Sequence, residues 1–478
     1  VVVLREPHAN GVHQATSVDL LGHIAAARNA LRSAGLQKGD RVVLLASNGI
    51  EWAACNMAIL AEGLVHVPLY TRQDPNELAQ MIADCGASLV VCGDESLQIA
   101  LQATGVTMPN MELTAELVSP TPEGTPPTNG TPQKPARVQA HDSPVALDAQ
   151  DTATIIYTSG TSGVSKGVML SVANLDHMLP CTMQRLDELM EGKAGQERVF
   201  HYLPFCFAGS WILLLTSLTR RAHLTLGTDL EKIAEHMALA KPHYFLNVPI
   251  LLDRIRRGVE DKMAQRGGLI QKLFDAAVAA WERKQKDQSR GLDGLWLSVA
   301  SSLIFSKVRS KVSPNLRALI CGSAPLSKET QLFFEMMGIP VLQVYGLTET
   351  TAICTMDKPS RSRRAGFVGL AIPGIEMKTA ERSEILVRGP HIFKGYWGRP
   401  EETSACMVDG WFRTGDQGEV DVDGNWRIIG RVKSVIVLSS GHNVEPDAIE
   451  RRAFDMGSLS LISPRKRLGG FSPTRQPR

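Results

Sequence analysis

The chain has 478 residues, 44% of them hydrophobic and 21% charged, with a formal net charge of +2. That length can bury a large core and implies more than one domain. The near-neutral balance makes no general case for nucleic-acid binding. Eight cysteines stand at positions 55, 85, 92, 181, 206, 321, 354 and 406 with no C-x-x-C pair. Neither a zinc site nor a disulfide scaffold is expected, and reduced cytosolic thiols are the simpler reading. No apolar run reaches membrane-spanning length, the strongest being residues 211–215, and no signal peptide is visible.

Leu20, Leu21, Ile24, Ala27 and Leu31 keep helical spacing, with Gly35 as a stop signal. Residues 41–45 read as a buried strand, 49–62 as a second helix, and 66–70 and 88–92 as further short strands. Strands alternating with helices predict an α/β fold with a mainly parallel sheet. Residues 119–136 hold six prolines and predict a surface excursion or linker. The sequon at Asn129 is read as coincidence, because no secretion signal accompanies it. Residues 253–290, rich in Arg, Lys, Asp, Glu and Ala at helical period, predict a pair of solvated surface helices.

The most informative stretch is Thr158-Ser159-Gly160-Thr161-Ser162-Gly163-Val164-Ser165-Lys166-Gly167, which follows the β-branched run at residues 154–157. Ser, Thr and Gly with one Lys are poor core material and good material for wrapping phosphates. Glycine lets backbone N–H groups approach, hydroxyls donate, and lysine adds a point charge. The stretch fails the P-loop pattern, because Lys166 follows Ser165 and precedes Gly167. Residues 163–167 formally match G-x-S-x-G, the nucleophile elbow of hydrolases, but hydroxyl-rich residues separate the match from its strand. A plain flexible loop is the third reading.

Further motifs follow in order: Cys321-Gly322-Ser323-Ala324-Pro325-Leu326, Val344-Tyr345-Gly346-Leu347-Thr348-Glu349-Thr350, Gly410-Trp411-Phe412-Arg413-Thr414-Gly415-Asp416 and Ile429-Gly430-Arg431-Val432-Lys433-Ser434. Taken singly they also read as a β-to-α turn, a strand–turn with an N-capping threonine, and a Gly-Asp turn. Together with the Ser/Thr/Gly loop they resemble the adenylate-forming superfamily of acyl-CoA synthetases, luciferases and peptide-synthetase adenylation domains. Ser165 stands where the family usually has proline. The helical insertion at 253–290, followed by residues 303–309, resembles the long-chain fatty acid–CoA ligase branch.

The resemblance implies an α/β fold: a large N-terminal domain of several subdomains over residues 1–430, with mixed, mainly parallel sheets and helices. A hinge and the start of a small α+β domain would follow at 431–450. It implies ATP and Mg²⁺ as cofactors and CoA as co-substrate. A fatty acid would be converted to acyl-adenylate and then to acyl-CoA. Thr158, Ser159, Gly160, Thr161, Ser162, Gly163 and Lys166 would cradle the β- and γ-phosphates. Gly322, Ser323, Ala324, Tyr345 and Gly346 would hold adenine, and Asp416 and Arg431 the ribose. Thr348 would meet the α-phosphate or the carboxylate, Glu349 would ligate Mg²⁺, and Lys433 would sit at the hinge. Gly441 would line the CoA tunnel. Phe205, Phe207 and Trp211 would border the acyl pocket, although Trp211 with residues 213–215 reads equally as core.

The resemblance also sets expectations for the two ends. Family members usually begin some tens of residues before Val1. After Glu450 they continue as a compact α+β domain carrying a lysine used in adenylation. Here residues 451–478 hold seven Arg or Lys against one Asp and read as an aberrant or disordered basic tail. Weak adenylation and little thioester formation are therefore expected of this chain. A ligase delivering acyl-AMP to a carrier protein, and a non-catalytic nucleotide- or acyl-binding protein, are the alternative functions. A cytoplasmic location is expected. Peripheral membrane association is compatible with the partitioning of long-chain acids into bilayers, and no anchor is visible.

Overall fold

The computed structural model describes residues 1–8, 11–119, 142–159, 165–192, 197–229, 231–359 and 363–432, and the backbone of strands Ile436–Val437 and Asn443–Val444. The proline-rich 120–141 segment, residues 160–164 of the Ser/Thr/Gly stretch and the 451–478 tail lie outside these residues.

The predicted early elements form where the pattern puts them. Helix Ser17–Ser33 starts at Thr16, whose side chain accepts from the Asp19 backbone N–H while Asp19 reaches back to the Thr16 backbone, a reciprocal capping box. Gly35, at φ 75°, follows its end in the left-handed region. Leu20, Ala27 and Leu31 are buried, but Leu21 is 46% exposed, because the inward stripe passes through Ala25 and Arg28 instead. Strand Arg41–Leu45 and helix Ile50–Ala61 match expectation to within a residue. The predicted surface pair is helices Pro249–Arg266 and Gly268–Gln285.

The described residues build an α/β architecture around two large sheets. One, of seven strands, runs in space Gly395–Tyr396, Ser165–Ser171, Thr152–Ser159, Val65–Pro68, Arg41–Leu45, Leu89–Cys92 and Asn110–Leu113. The other, of nine, runs Leu370–Ala371, Thr355–Met356, Val341–Tyr345, Ala318–Cys321, Tyr244–Asn247, Arg198–His201, His223–Leu226, Val2–His8 and Gly11–Thr16. A five-stranded antiparallel sheet contains Glu384–Arg388, Trp411–Val420 and Trp426–Arg431.

Strand direction decides where chemistry can sit. In the nine-stranded sheet, Arg198–His201, His223–Leu226, Tyr244–Asn247, Ala318–Cys321 and Val341–Tyr345 are mutually parallel. In the seven-stranded sheet, Arg41–Leu45, Val65–Pro68 and Thr152–Ser159 are parallel. Loops leaving parallel strands therefore gather at one carboxyl edge of each sheet, the usual ligand position in open α/β sheets. Asn48, just beyond one such strand end, ties the two edges together. Its Nδ2 donates to the Leu203 carbonyl over 2.8 Å, and its Oδ1 accepts from the Phe205 backbone N–H over 2.8 Å.

Candidate active site

The two ends of the Ser/Thr/Gly stretch lie on antiparallel strands. Strand Thr152–Ser159 pairs with Ser165–Ser171, placing Thr158 opposite Lys166 and Ser159 opposite Ser165. Gly160, Thr161, Ser162 and Gly163 lie outside the described residues. Ser165 opens a β-strand, whereas an elbow serine needs a sharp strand-to-helix turn, so the hydrolase reading finds no geometry here. Lys166 forms an ion pair with Glu402, and its Nζ stands 5.1 Å from the centre of the Tyr396 ring. The bond from Lys166 holds the Glu402 carboxyl below its ordinary range.

Two motifs turn at the ends of adjacent parallel strands, and both turns require glycine. A Cβ on Gly322 would come within 2.6 Å of Val344 Cγ2, and one on Gly346 would collide with the Ala352 carbonyl oxygen. Ser323, at φ 69°, and Ala324 lie exposed on the first turn. Tyr345 ends the second strand, and Thr348 and Glu349 follow in the short 3₁₀ turn Thr348–Thr350. Small residues in one turn and an aromatic ring at the end of the neighbouring strand are the groups a flat heterocycle packs against.

Asp416 meets Tyr345 from the five-stranded sheet. It is buried, and lies directly across from Arg431 in the pairing of Trp411–Val420 with Trp426–Arg431. Arg431 Nε donates to Asp416 Oδ1 over 2.6 Å, and the Tyr345 hydroxyl donates to Oδ2 over 2.8 Å. Burial, with the Asp416 charge beside it, raises the Tyr345 phenol well above its usual range and keeps it a donor. A small apolar cluster of Cys354, Val368, Ile385, Val387 and Trp426, with Tyr345 packed on it, joins the two sheets at this point.

Glu349 is positioned by a residue that sequence reasoning missed. The Tyr396 hydroxyl donates to Glu349 Oε1 over 2.9 Å, and burial followed by the Glu349 charge raises the Tyr396 phenol. Glu349 Oε2 has no hydrogen-bond partner among the described residues. One oxygen held and one open is a donor set that fits Mg²⁺, which prefers hard oxygens and takes few from protein. Tyr396 reaches this place because strand Gly395–Tyr396 pairs with strand Ser165–Ser171, Tyr396 opposite Val168. No local pattern marks either Tyr396 or Glu402.

A cavity of about 330 Å³ opens at the shared carboxyl edges of the two large sheets. Tyr70, Phe205, Ile250 and Leu251 give it apolar walls, and Arg72 and Arg254 supply exposed guanidinium groups. Phe205 is buried in its wall, while Phe207 is 51% exposed and its ring centre lies 6.0 Å from that of Tyr70. Trp211 does not line the cavity. It is fully buried in helix Ala208–Thr219, with its indole N–H donating to Asn56 Oδ1 over 2.9 Å. That helix is apolar almost all round, which makes it a core element. A second cavity, about 360 Å³ between helices Pro249–Arg266 and Gly268–Gln285, is lined by Glu260, Asp275 and Glu282, poor company for phosphate or carboxylate. Lys433 and Gly441 lie outside the described residues.

The AMP-binding enzyme family profile matches residues 7–397. The chain is 30% identical over 442 residues to long-chain-fatty-acid–CoA ligase FadD15 of Mycobacterium bovis, covering 91% of this chain and 72% of that protein. It is 27% identical to long chain acyl-CoA synthetase 3 of Arabidopsis thaliana, covering 91% and 68% respectively. In fold it resembles o-succinylbenzoate coenzyme A synthetase of Bacillus subtilis, solved with ATP and magnesium ion. There the TM-score is 0.71 at 18% identity, over 96% of this chain and 82% of that one.

Proposed function

The chain belongs to the AMP-binding enzyme family, and from that premise we propose that it activates a long-chain fatty acid with ATP, through an acyl-adenylate, to its CoA thioester. The observation that carries this reading is the buried Asp416 carboxylate, clamped by Tyr345 and Arg431. Each carboxylate oxygen keeps acceptor capacity for one ribose hydroxyl.

In this reading adenine lies against Tyr345 and the Gly322-Ser323-Ala324 turn, and Asp416 and Arg431 hold the ribose. Thr158 and the loop to Lys166 surround the triphosphate, for which Lys166 exchanges the Glu402 carboxylate for phosphate oxygens. Glu349 would hold Mg²⁺ through Oε2, where the ion supplies charge neutralisation on the phosphates. Thr348 donates to the α-phosphate or the attacking carboxylate. That carboxylate displaces pyrophosphate from the α-phosphorus, and the CoA thiol then displaces AMP from the acyl carbon. Preorganised donors around the phosphorus stabilise the charge that develops. The cavity beside Phe205, with Phe207 on Tyr70 at its rim, would take the apolar substrate. Lys433 and Gly441 keep their proposed hinge and CoA-tunnel roles. The large domain is proposed to span 1–430.

The relatives' names support a fatty acid over shorter acids. An outward stripe of Leu292, Leu295, Trp296 and Leu303, each at least 39% exposed, supports peripheral contact with a lipid surface. No helix among the described residues is long and apolar enough to cross a membrane.

ATP-dependent hydroxamate formation across acids of increasing length tests the proposal. Yield should rise toward long chains. CoA compared with a pantetheine-loaded carrier as acceptor separates thioester synthesis from delivery to a carrier. ATP binding without pyrophosphate exchange would overturn the catalytic reading.

A further inference from the structure

Cysteine spacing offers no metal site, but the amino-terminal hairpin brings other ligands together. Strands Val2–His8 and Gly11–Thr16 pair antiparallel, with Glu6 directly opposite His13 and His8 opposite Gly11. Side chains alternate faces along a strand, so Glu6 and His8 point the same way, and the directly opposed His13 joins them. The donor atoms of all three lie within 4.8 Å of one another, and the two imidazole centres are 4.4 Å apart.

We propose that Glu6, His8 and His13 form a binding site for a divalent transition cation of zinc type. Two imidazoles and one carboxylate suit Zn²⁺ and its neighbours; Mg²⁺ and Ca²⁺ select oxygen donors. Two donors each about 2.0–2.1 Å from one tetrahedral zinc lie about 3.3–3.4 Å from each other. His8 Nε2 and Glu6 Oε2 are already 3.3 Å apart. Only His13 must swing inward to complete three protein ligands, and solvent supplies the fourth.

The carboxylate is also oriented from behind, as ligating carboxylates are. Glu6 Oε1 accepts from the Ile50 backbone N–H, at the start of helix Ile50–Ala61. A Cβ on Gly49 would come within 2.6 Å of that same oxygen, so glycine there is what admits the carboxylate. A bound cation would therefore pin the hairpin to the start of this helix. Asn48, two residues before Ile50, organises the cavity wall through Leu203 and Phe205. This site is independent of the proposed ligase function.

Titration of the full chain with ZnCl₂, followed by calorimetry and thermal unfolding, tests the assignment. One equivalent should bind and raise the unfolding midpoint. His13→Ala and His8→Ala should each weaken binding at least about tenfold while leaving the metal-free midpoint unchanged, since both imidazoles reach solvent. Cobalt(II) should give the visible absorption of a tetrahedral N/O site, lost in His13→Ala. MgCl₂ should neither compete nor shift the midpoint. Absence of zinc binding, or binding unchanged in the His8→Ala/His13→Ala double variant, would overturn it.

Discussion

The Tyr345 hydroxyl donates to Asp416 Oδ2 over 2.8 Å, joining the last residue of a parallel strand to the middle of an antiparallel one in a different sheet. Arg431 occupies the other oxygen of the same carboxylate. The proposed ribose anchor is thus built before any nucleotide arrives.

Tyr345→Phe keeps the ring at the proposed adenine site and removes only the donor. A hydrogen bond to a charged group is worth about 1.5–3 kcal/mol, and Arg431 retains part of the alignment. KM for ATP in pyrophosphate exchange should rise about 5- to 30-fold, with KM for the acid unchanged. Asp416→Ala should cost more and also lower stability, because it leaves the Arg431 cation without its partner.

Tyr396→Phe should change magnesium dependence more than folding. The variant frees Glu349 Oε1 and loses the orientation of Oε2. Loss of such an outer partner typically costs about 10- to 100-fold in metal affinity or activity. The half-saturating Mg²⁺ concentration for exchange should rise accordingly. An unchanged Mg²⁺ titration would remove Glu349 as the proposed ligand.

Glu402→Gln separates stability from nucleotide binding. The Lys166–Glu402 pair is solvent-accessible on both sides, and exposed pairs contribute about 0–1 kcal/mol. Unfolding should hardly change. ATP should bind more tightly, because Lys166 no longer has to leave a carboxylate, whereas Lys166→Ala should weaken ATP binding.

Asp357 provides a pH-dependent term. It is buried, and burial pushes its carboxyl up to about 7 from 3.8 although Oδ2 accepts from the Gln343 backbone N–H. The folded chain therefore holds a proton there that the unfolded chain has released. Its stabilising contribution is complete below pH 3.8 and is lost as pH rises through about 7. Asp357→Asn keeps an acceptor and cannot ionise. The unfolding free energy of the variant, from denaturant titration, should fall less between pH 5 and 7 than that of the parent, by up to about 1.4 kcal/mol per pH unit.

Sedimentation with anionic phosphatidylglycerol vesicles tests the proposed lipid contact. The parent should pellet with them, and Leu295→Ser/Trp296→Ser should pellet markedly less while keeping pyrophosphate exchange. Equal sedimentation of both would remove the stripe as a lipid-facing surface.

Much of this architecture was legible in local sequence. Residues 42–45 are a continuous apolar run, Val-Val-Leu-Leu, and form the buried part of strand Arg41–Leu45; Thr16 and Asp19 cap the helix that periodicity predicts. Gly322 and Gly346 stand where turns press against Val344 and Ala352. Trp211 shows where local reading stops. An aromatic residue in an apolar helix suits a pocket wall or a core equally, and only the neighbouring Asn56 places it in the core.

The sequence by itself determined the chemistry at hand: a hydroxyl- and glycine-rich turn after a strand, an aromatic beside a glycine, and acids in turn motifs. Those are properties of short segments, set by backbone freedom and side-chain functional groups. Only the tertiary structure decided which groups meet. Tyr345 and Asp416 are 71 residues apart, and Tyr396 and Glu349 are 47 apart. Lys166 faces Glu402, and His13 faces Glu6, through strand pairing and packing. The physical reason is that a side chain's partner depends on sheet order, strand direction and register. These emerge from the packing of the whole core, and no short window of sequence contains them.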